Sequence, residues 1–135
     1  MFDVEVNDDT ILIFEYYTAS GTDDPAIISE AEEIVRSIVL DLKDEDNCVL
    51  VSKQFEHIFD DFDFDIKIIA IDEGLYEWLE MNASVFNRAL FVSSENDMNL
   101  YRLTKLLESK QVKLYTSSSN AVKLASDKFE PFDCL

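Results

Sequence analysis

This sequence of 135 residues is short of positive charge: 11 lysines and arginines stand against 29 aspartates and glutamates, a net charge of −18. A surface that negative repels phosphate backbones and anionic lipid headgroups, which excludes nucleic-acid binding and membrane-surface binding. It suits a soluble protein or one that meets a basic partner. Glycine is scarcer still, with only Gly21 and Gly74, so there is no G-x-G-x-x-G and no G-K-S/T phosphate cradle. The one histidine, His57, cannot form a metal cluster alone, and no serine or cysteine nucleophile stands beside it to make a triad. Of the two cysteines, Cys48 lies in the apolar run CVLV and reads as a buried strand thiol, while Cys134 is next to last. Neither signals a metal site or a redox pair. No apolar run approaches the roughly 20 residues that span a bilayer. The start MFDVEVNDD has no basic segment followed by an apolar core, so it is not a signal peptide and a cytoplasmic location is expected.

What is present is enough for a core. The hydrophobic fraction is 47% and the aromatic fraction 12%, which argues against disorder despite the charge. The length is that of one domain, residues 1–135. Short apolar runs alternate with helical periods. Ile11 to Phe14 is four adjacent apolar residues, as in a strand covered on both faces. Asp24 and Pro25 then start a helix, as N-cap and first turn. That helix buries Ile27, Ala31, Ile34, Val35, Ile38 and Leu42. Cys48 to Val51 is a second strand, Lys53 to Asp65 a short irregular helix, and Ile66 to Ile71 a third strand. Leu75, Trp78, Leu79, Asn82, Val85 and Phe86 define a second main helix, with Trp78 and Met81 as packing residues. Ala89 to Val92 is a fourth strand. A leucine-faced helix opened by Ser94 to Asp97, an edge strand Val112 to Tyr115 and a last helix from about Asn120 to Asp127 complete the pattern. The expectation is a three-layer, doubly wound α/β domain of Rossmann-like type, with a mostly parallel sheet of about five strands.

Such sheets bind ligands at the carboxyl ends of their strands, where the strand order reverses. That rule selects Glu15 to Asp24, Asp72 to Gly74, Ser93 to Asp97 and Thr116 to Ser119. The first corner, TILIFEYYTASGTDDP, has the placement of a phosphate loop, but its charges are Glu15, Asp23 and Asp24 and none is positive. Asp23 and Asp24 compete with any anion for the helix amides, so the corner suits an ammonium group better than a phosphate. Glu15 follows directly on an apolar strand, which leaves a ligand role and a structural hydrogen-bonding role both open. Glu95 lies at the neighbouring mouth, as a second carboxylate for an amine or as a first-turn acid. Asp60 to Asp65, DDFDFD, lacks the glycine and terminal glutamate of a calcium loop and reads as a solvated turn. A phosphoacceptor receiver domain has the same size and class, with Asp72 as the acceptor, but its acid pair after the first strand is missing.

The segments ILIFEYYTASG and DPAIISEAEEIVRSIVLDL resemble the start of archaeal ATP-grasp carboxylate–amine ligases of the tyramine–glutamate ligase type. SSENDMNLYRLTKLLE, from Ser93 to Glu108, is similar to a segment in which a strand ends in a P-E turn before a leucine-rich helix. Ser94 replaces the proline and Glu95 keeps the acid. LYTSSSNAVKLASDK, from Leu114 to Lys128, resembles the last strand and helix before the ATP-gripping domain. The resemblance implies a pre-ATP-grasp domain that forms one wall of a substrate site. By it, Glu15, Tyr17, Ser20 and Gly21 face the amino-acid substrate, Glu95 lies nearby, and Lys128 approaches the nucleotide from the junction.

After Asp127 and Lys128 the family continues with lobes that grip ATP and magnesium, and this chain ends at FEPFDCL. A stand-alone, truncated or split form is therefore expected, with no catalysis by the chain alone and no catalytic or metal-binding residue of its own. ATP and magnesium would enter only with a complementary ATP-grasp domain. The expected partners are a separate ATP-grasp chain or a second copy, and an amino-acid or amine ligand. The alternative is a small interaction or regulatory protein with no retained ligand site.

Overall fold

In a computed structural model, the described residues are 4–93 and 98–115. The first strand, β1 (Ile11–Glu15), is buried at every position. A short helix α1 (Tyr16–Ser20) follows it directly, then α2 (Pro25–Asp41) and β2 (Asn47–Ser52). A 3-10 turn (Lys53–Phe55) and an irregular segment lead to β3 (Ile68–Ile71). Then come α3 (Leu75–Asn82), a second 3-10 turn (Ala83–Val85), β4 (Arg88–Val92), α4 (Asn99–Ser109) and β5 (Lys113–Leu114). The five strands form one sheet in the order β3-β2-β1-β4-β5. All neighbours are parallel, so the sheet is wholly parallel.

The order dictates the layers. From β1 the chain winds outward through β2 to β3, then returns to β4 and winds the other way to β5. A right-handed crossover puts the first two connections on one face and the last two on the other. One face is accordingly filled by Val35, Ile38 and Val39 of α2 and by Phe55 and Phe59 of the irregular segment. The opposite face is filled by Leu75, Trp78 and Leu79 of α3 and by Leu103 and Leu107 of α4. Alternate residues of β1 serve the two faces, Leu12 and Phe14 one and Ile11 and Ile13 the other. Covering both sides is why the strand has no polar alternation. Each such buried Leu, Ile or Phe contributes about 1.5–3 kcal/mol over its exposed state.

Several element boundaries differ from expectation. The second main helix stops at Asn82, and Phe86 is buried from an extended backbone beyond the 3-10 turn. Met81 is 81% exposed and packs nothing, whereas Trp78 is buried. The segment from Lys53 to Asp65 is a 3-10 turn followed by turns and bends instead of a helix. Its phenylalanines are nonetheless drawn to the core, and its acids stay outside. Arg36 of α2 fixes this segment, gripping both oxygens of Asp61 at 2.7 and 2.9 Å and lying over the ring of Phe62. Asp61 is thus paired by a guanidinium in an otherwise solvated turn. Cys48 is buried, and burial pushes its thiol up to about 12. The last expected helix lies outside the described residues, and no helix among them is long and apolar enough to cross a membrane.

The amino-terminal edge of the sheet is knotted by Asp46. Its carboxylate accepts from Lys67 Nζ at 2.7 Å, Thr10 Oγ1 at 2.8 Å and Asn7 Nδ2 at 2.7 Å, and its carbonyl accepts from the Ile11 amide. One side chain therefore joins the entries of β1, β2 and β3. The Lys67 and Thr10 bonds hold the Asp46 carboxyl below its ordinary value of 3.8. A lowered carboxylate contributes stability that is present above the unfolded value and lost as pH falls through the folded one. Asp46→Ala is expected to lower the urea unfolding free energy by about 1–3 kcal/mol at neutral pH. The gap between the two proteins should shrink as pH falls below 3.8; a gap that did not change with pH would contradict this account.

Candidate functional site at the carboxyl ends of the strands

The strand order reverses between β1 and β4, whose carboxyl ends lie side by side with Glu15 opposite Val92. Parallel doubly wound sheets open a crevice at this point, since the helices that follow the two strands leave on opposite faces. The strands just short of this point are apolar core. Phe14 and Phe91, paired in register, stack with centroids 5.2 Å apart and planes 11° apart. Above them Glu15 and Ser93 are both buried.

Glu15 is committed locally. Its Oε1 accepts from the Thr18 amide at 2.7 Å and its Oε2 from the Tyr17 amide at 3.0 Å. The side chain is the N-cap of α1, satisfying amides that a five-residue helix cannot pair internally. Burial raises the Glu15 carboxyl above its ordinary 4.5, and the hydrogen bonds from the Tyr17 and Thr18 amides pull the other way. Both carboxylate oxygens of Glu15 are thus engaged by backbone amides of its own turn.

The rest of the corner is held from β2. Gly21 ends α1 at φ +93° with its amide on the Tyr17 carbonyl at 2.8 Å. Only glycine takes that conformation without strain. Gln54 Nε2 then donates to the Thr22 carbonyl at 2.6 Å, tying the loop to the exit of β2. Nothing in the sequence around Gln54 marks it for this part, because the bond spans 32 positions and depends on the strand order. Ser20 Oγ is exposed and donates to the Tyr16 carbonyl at 2.6 Å. Asp24 caps α2, its Oδ1 accepting from the Ala26 amide at 3.1 Å, while Asp23 is exposed. An anionic phosphate does not fit here, since the helix amide is taken by a carboxylate and a second carboxylate stands beside it.

Glu15, Tyr17, Ser20 and Gly21 are therefore brought together on one corner. Glu95 and Lys128 lie outside the described residues, as do Thr116 to Ser119. Asp72 ends β3, exposed and 3.3 Å from Lys53 Nζ. The receiver-like possibility fails on topology: the strand order 2-1-3-4-5 of those domains puts β3 beside β1, and here β2 separates them. Three aromatic rings line the same edge of the sheet. Tyr16 and Tyr17 meet edge to face at 5.1 Å. Tyr76, in the first turn of α3, donates its hydroxyl to Asn99 Oδ1 in the first turn of α4 at 2.6 Å. Asn99 is buried, and the Arg102 guanidinium lies over the Tyr76 ring at 4.7 Å. Among the described residues no group of three or more acids, histidines or cysteines is arranged to hold a metal ion.

No family model matches the chain. It is 34% identical over 124 residues to a tyramine–L-glutamate ligase of Methanocaldococcus fervens, and 32% identical over 123 residues to that of Methanocaldococcus jannaschii. Each match takes in 88% of this chain but only 42% and 40% of the relative. The chain is thus homologous to these ligases and spans about two-fifths of their length. A crystal structure of a putative ATP-grasp superfamily protein from Archaeoglobus fulgidus shares the fold, with a TM-score of 0.61 at 23% identity. That likeness covers 95% of this chain and 39% of the other.

The cap at Glu15 makes a prediction with a definite sign. A carboxyl raised by burial favours the folded state below the unfolded value, and that contribution is lost as pH rises through the folded one. Glu15→Ala, which removes both acceptors, is expected to destabilise by about 0.5–2 kcal/mol. Glu15→Gln keeps one acceptor and removes the buried charge. The stability of the wild type relative to Glu15→Gln should therefore fall between pH values below 4.5 and neutral pH. Denaturant midpoints measured across that range provide the test, and a relative stability that rose with pH would refute the assignment.

Proposed function

We propose that this chain is the substrate-side domain of an ATP-dependent ligase that joins a carboxylate to an amine. The observation that carries the proposal is the homology to tyramine–L-glutamate ligases along most of this chain but less than half of theirs. A switch-point crevice of the kind in which doubly wound domains bind small molecules supports it. In this reading Tyr17, Ser20 and Gly21 form part of the wall facing an amino acid, and Glu15 holds that wall in shape from behind. The buried Glu15 and the exposed Asp23 make the local field favourable to an ammonium group and unfavourable to a phosphate.

The ligation itself would proceed elsewhere. ATP converts the carboxylate to an acyl phosphate, which the amine then attacks, and those steps belong to nucleotide-gripping lobes in the ligases. The work of this domain is to position one reactant and exclude water from it, which in favourable cases removes several kcal/mol from a bimolecular barrier. A second reading, an interaction module without a ligand, has one observation in its favour: both oxygens of Glu15 are already engaged by backbone amides.

Two assays separate these readings. The purified chain with ATP, magnesium, glutamate and tyramine should release no ADP. A chimera in which it replaces the matching two-fifths of a tyramine–L-glutamate ligase should form the amide with a rate within about 100-fold of the parent. ADP release by the chain alone, or a folded chimera that binds ATP and forms no amide, would overturn the proposal.

A further inference from the structure

The sequence holds three arginines, and their surroundings differ. Arg36 is taken by Asp61 and the Ile58 carbonyl, and Arg88 by the Asp9 carbonyl and the Tyr115 hydroxyl. Arg102 has no oxygen partner among the described residues; its contact is the face of Tyr76 at 4.7 Å. The lysines Lys53, Lys67 and Lys110 are each matched by a carboxylate within 3.3 Å, whereas Lys105 and Lys113, like Arg102, lie over tyrosine rings. At the carboxyl edge of the sheet, then, Lys53 stands against Asp72, while no oxygen among the described residues takes the N–H donors of Arg102.

Resting on the reading of this edge as a substrate wall, we propose that Arg102 anchors the carboxylate of the amino-acid substrate. Tyr76 and Asn99 are its positioning residues. The Tyr76 hydroxyl is locked on Asn99, whose side chain is buried between the first turns of α3 and α4. The ring so fixed is a platform that restricts the guanidinium above it, lowering the entropy lost when a ligand binds. A guanidinium stays charged at any working pH, and its planar fork matches both oxygens of a carboxylate. In a chain of net charge −18 the general field repels a free carboxylate, so a cation with no carboxylate partner among the described residues is a place where one can settle. The acidic corner after β1 and the cation on α4 then divide the two ends of an amino acid: ammonium toward the first, carboxylate toward the second.

The test is a titration of the isotope-labelled full chain with L-glutamate, followed by amide resonances, with inorganic phosphate and tyramine as separate arms. Glutamate should move the amides of Tyr76, Asn99 and Arg102 saturably. Arg102→Ala should weaken that response at least 10-fold, with the rest of the spectrum unchanged. Arg102→Lys should recover only part, because it restores charge without the fork. Tyramine, which has no carboxylate, should leave these amides still. Equal shifts from phosphate and glutamate, a response insensitive to Arg102→Ala, or no response at these amides would each overturn the assignment. If glutamate moved only amides following β1, this inference would fall while the substrate-wall function stood. If the chimera were inert but the Arg102 response persisted, the proposed function would fall and the anion site would remain.

Discussion

The structure depends on β1 having a parallel neighbour on each side that the chain reaches by opposite routes. Its pairing with β2 sends α2 to one face of the sheet, and its pairing with β4 sends α3 and α4 to the other. A strand so enclosed can carry no polar side chain along its length, and the five residues Ile11–Glu15 are all buried. The glutamate at its end is tolerated because the chain turns at once into α1 and offers two amides to it. A single constraint therefore produces both the core and the crevice above it.

The acidity of the corner after β1 has two separate origins. Asp24 stabilises the start of α2, and Glu15 the start of α1, so both are explained without a ligand. Their joint effect is still felt by anything that approaches. The place where many doubly wound domains hold phosphate has its amides occupied and its potential reversed. That is consistent with a division of labour in which nucleotide chemistry lies in another domain and this edge meets an amino acid.

How much of this could be read from the sequence follows from which forces were local. The fully apolar run in β1, the Asp24–Pro25 helix start and the buried thiol of Cys48 depend on neighbours in the chain, and each was legible. The end of α3 was not. Val85 and Phe86 continue the helical spacing of Leu75 and Trp78, but the backbone leaves the helix after Asn82, and Phe86 reaches the core from an extended conformation. The segment of phenylalanines after β2 showed helical spacing as well, yet Arg36 and the sheet hold it as a series of turns. At the candidate site, the segment Glu15 to Asp24 was selected by the rule for strand ends, and Tyr17, Ser20 and Gly21 within it by the resemblance. Gln54, Tyr76 and Asn99 were not, since their parts arise from contacts that only the strand order creates.

The central claim is that the carboxyl edge of the sheet at β1 and β4 is the face that meets substrate. Amide hydrogen exchange in the ligase chimera, with and without saturating glutamate and a non-hydrolysable ATP analogue, tests it most directly. The account predicts added protection in the residues that follow β1, at Ser93 and in the first turn of α4, with none in the Asn7, Thr10 and Asp46 knot at the opposite edge. Protection confined to that opposite edge, or absent from this domain altogether, would contradict it.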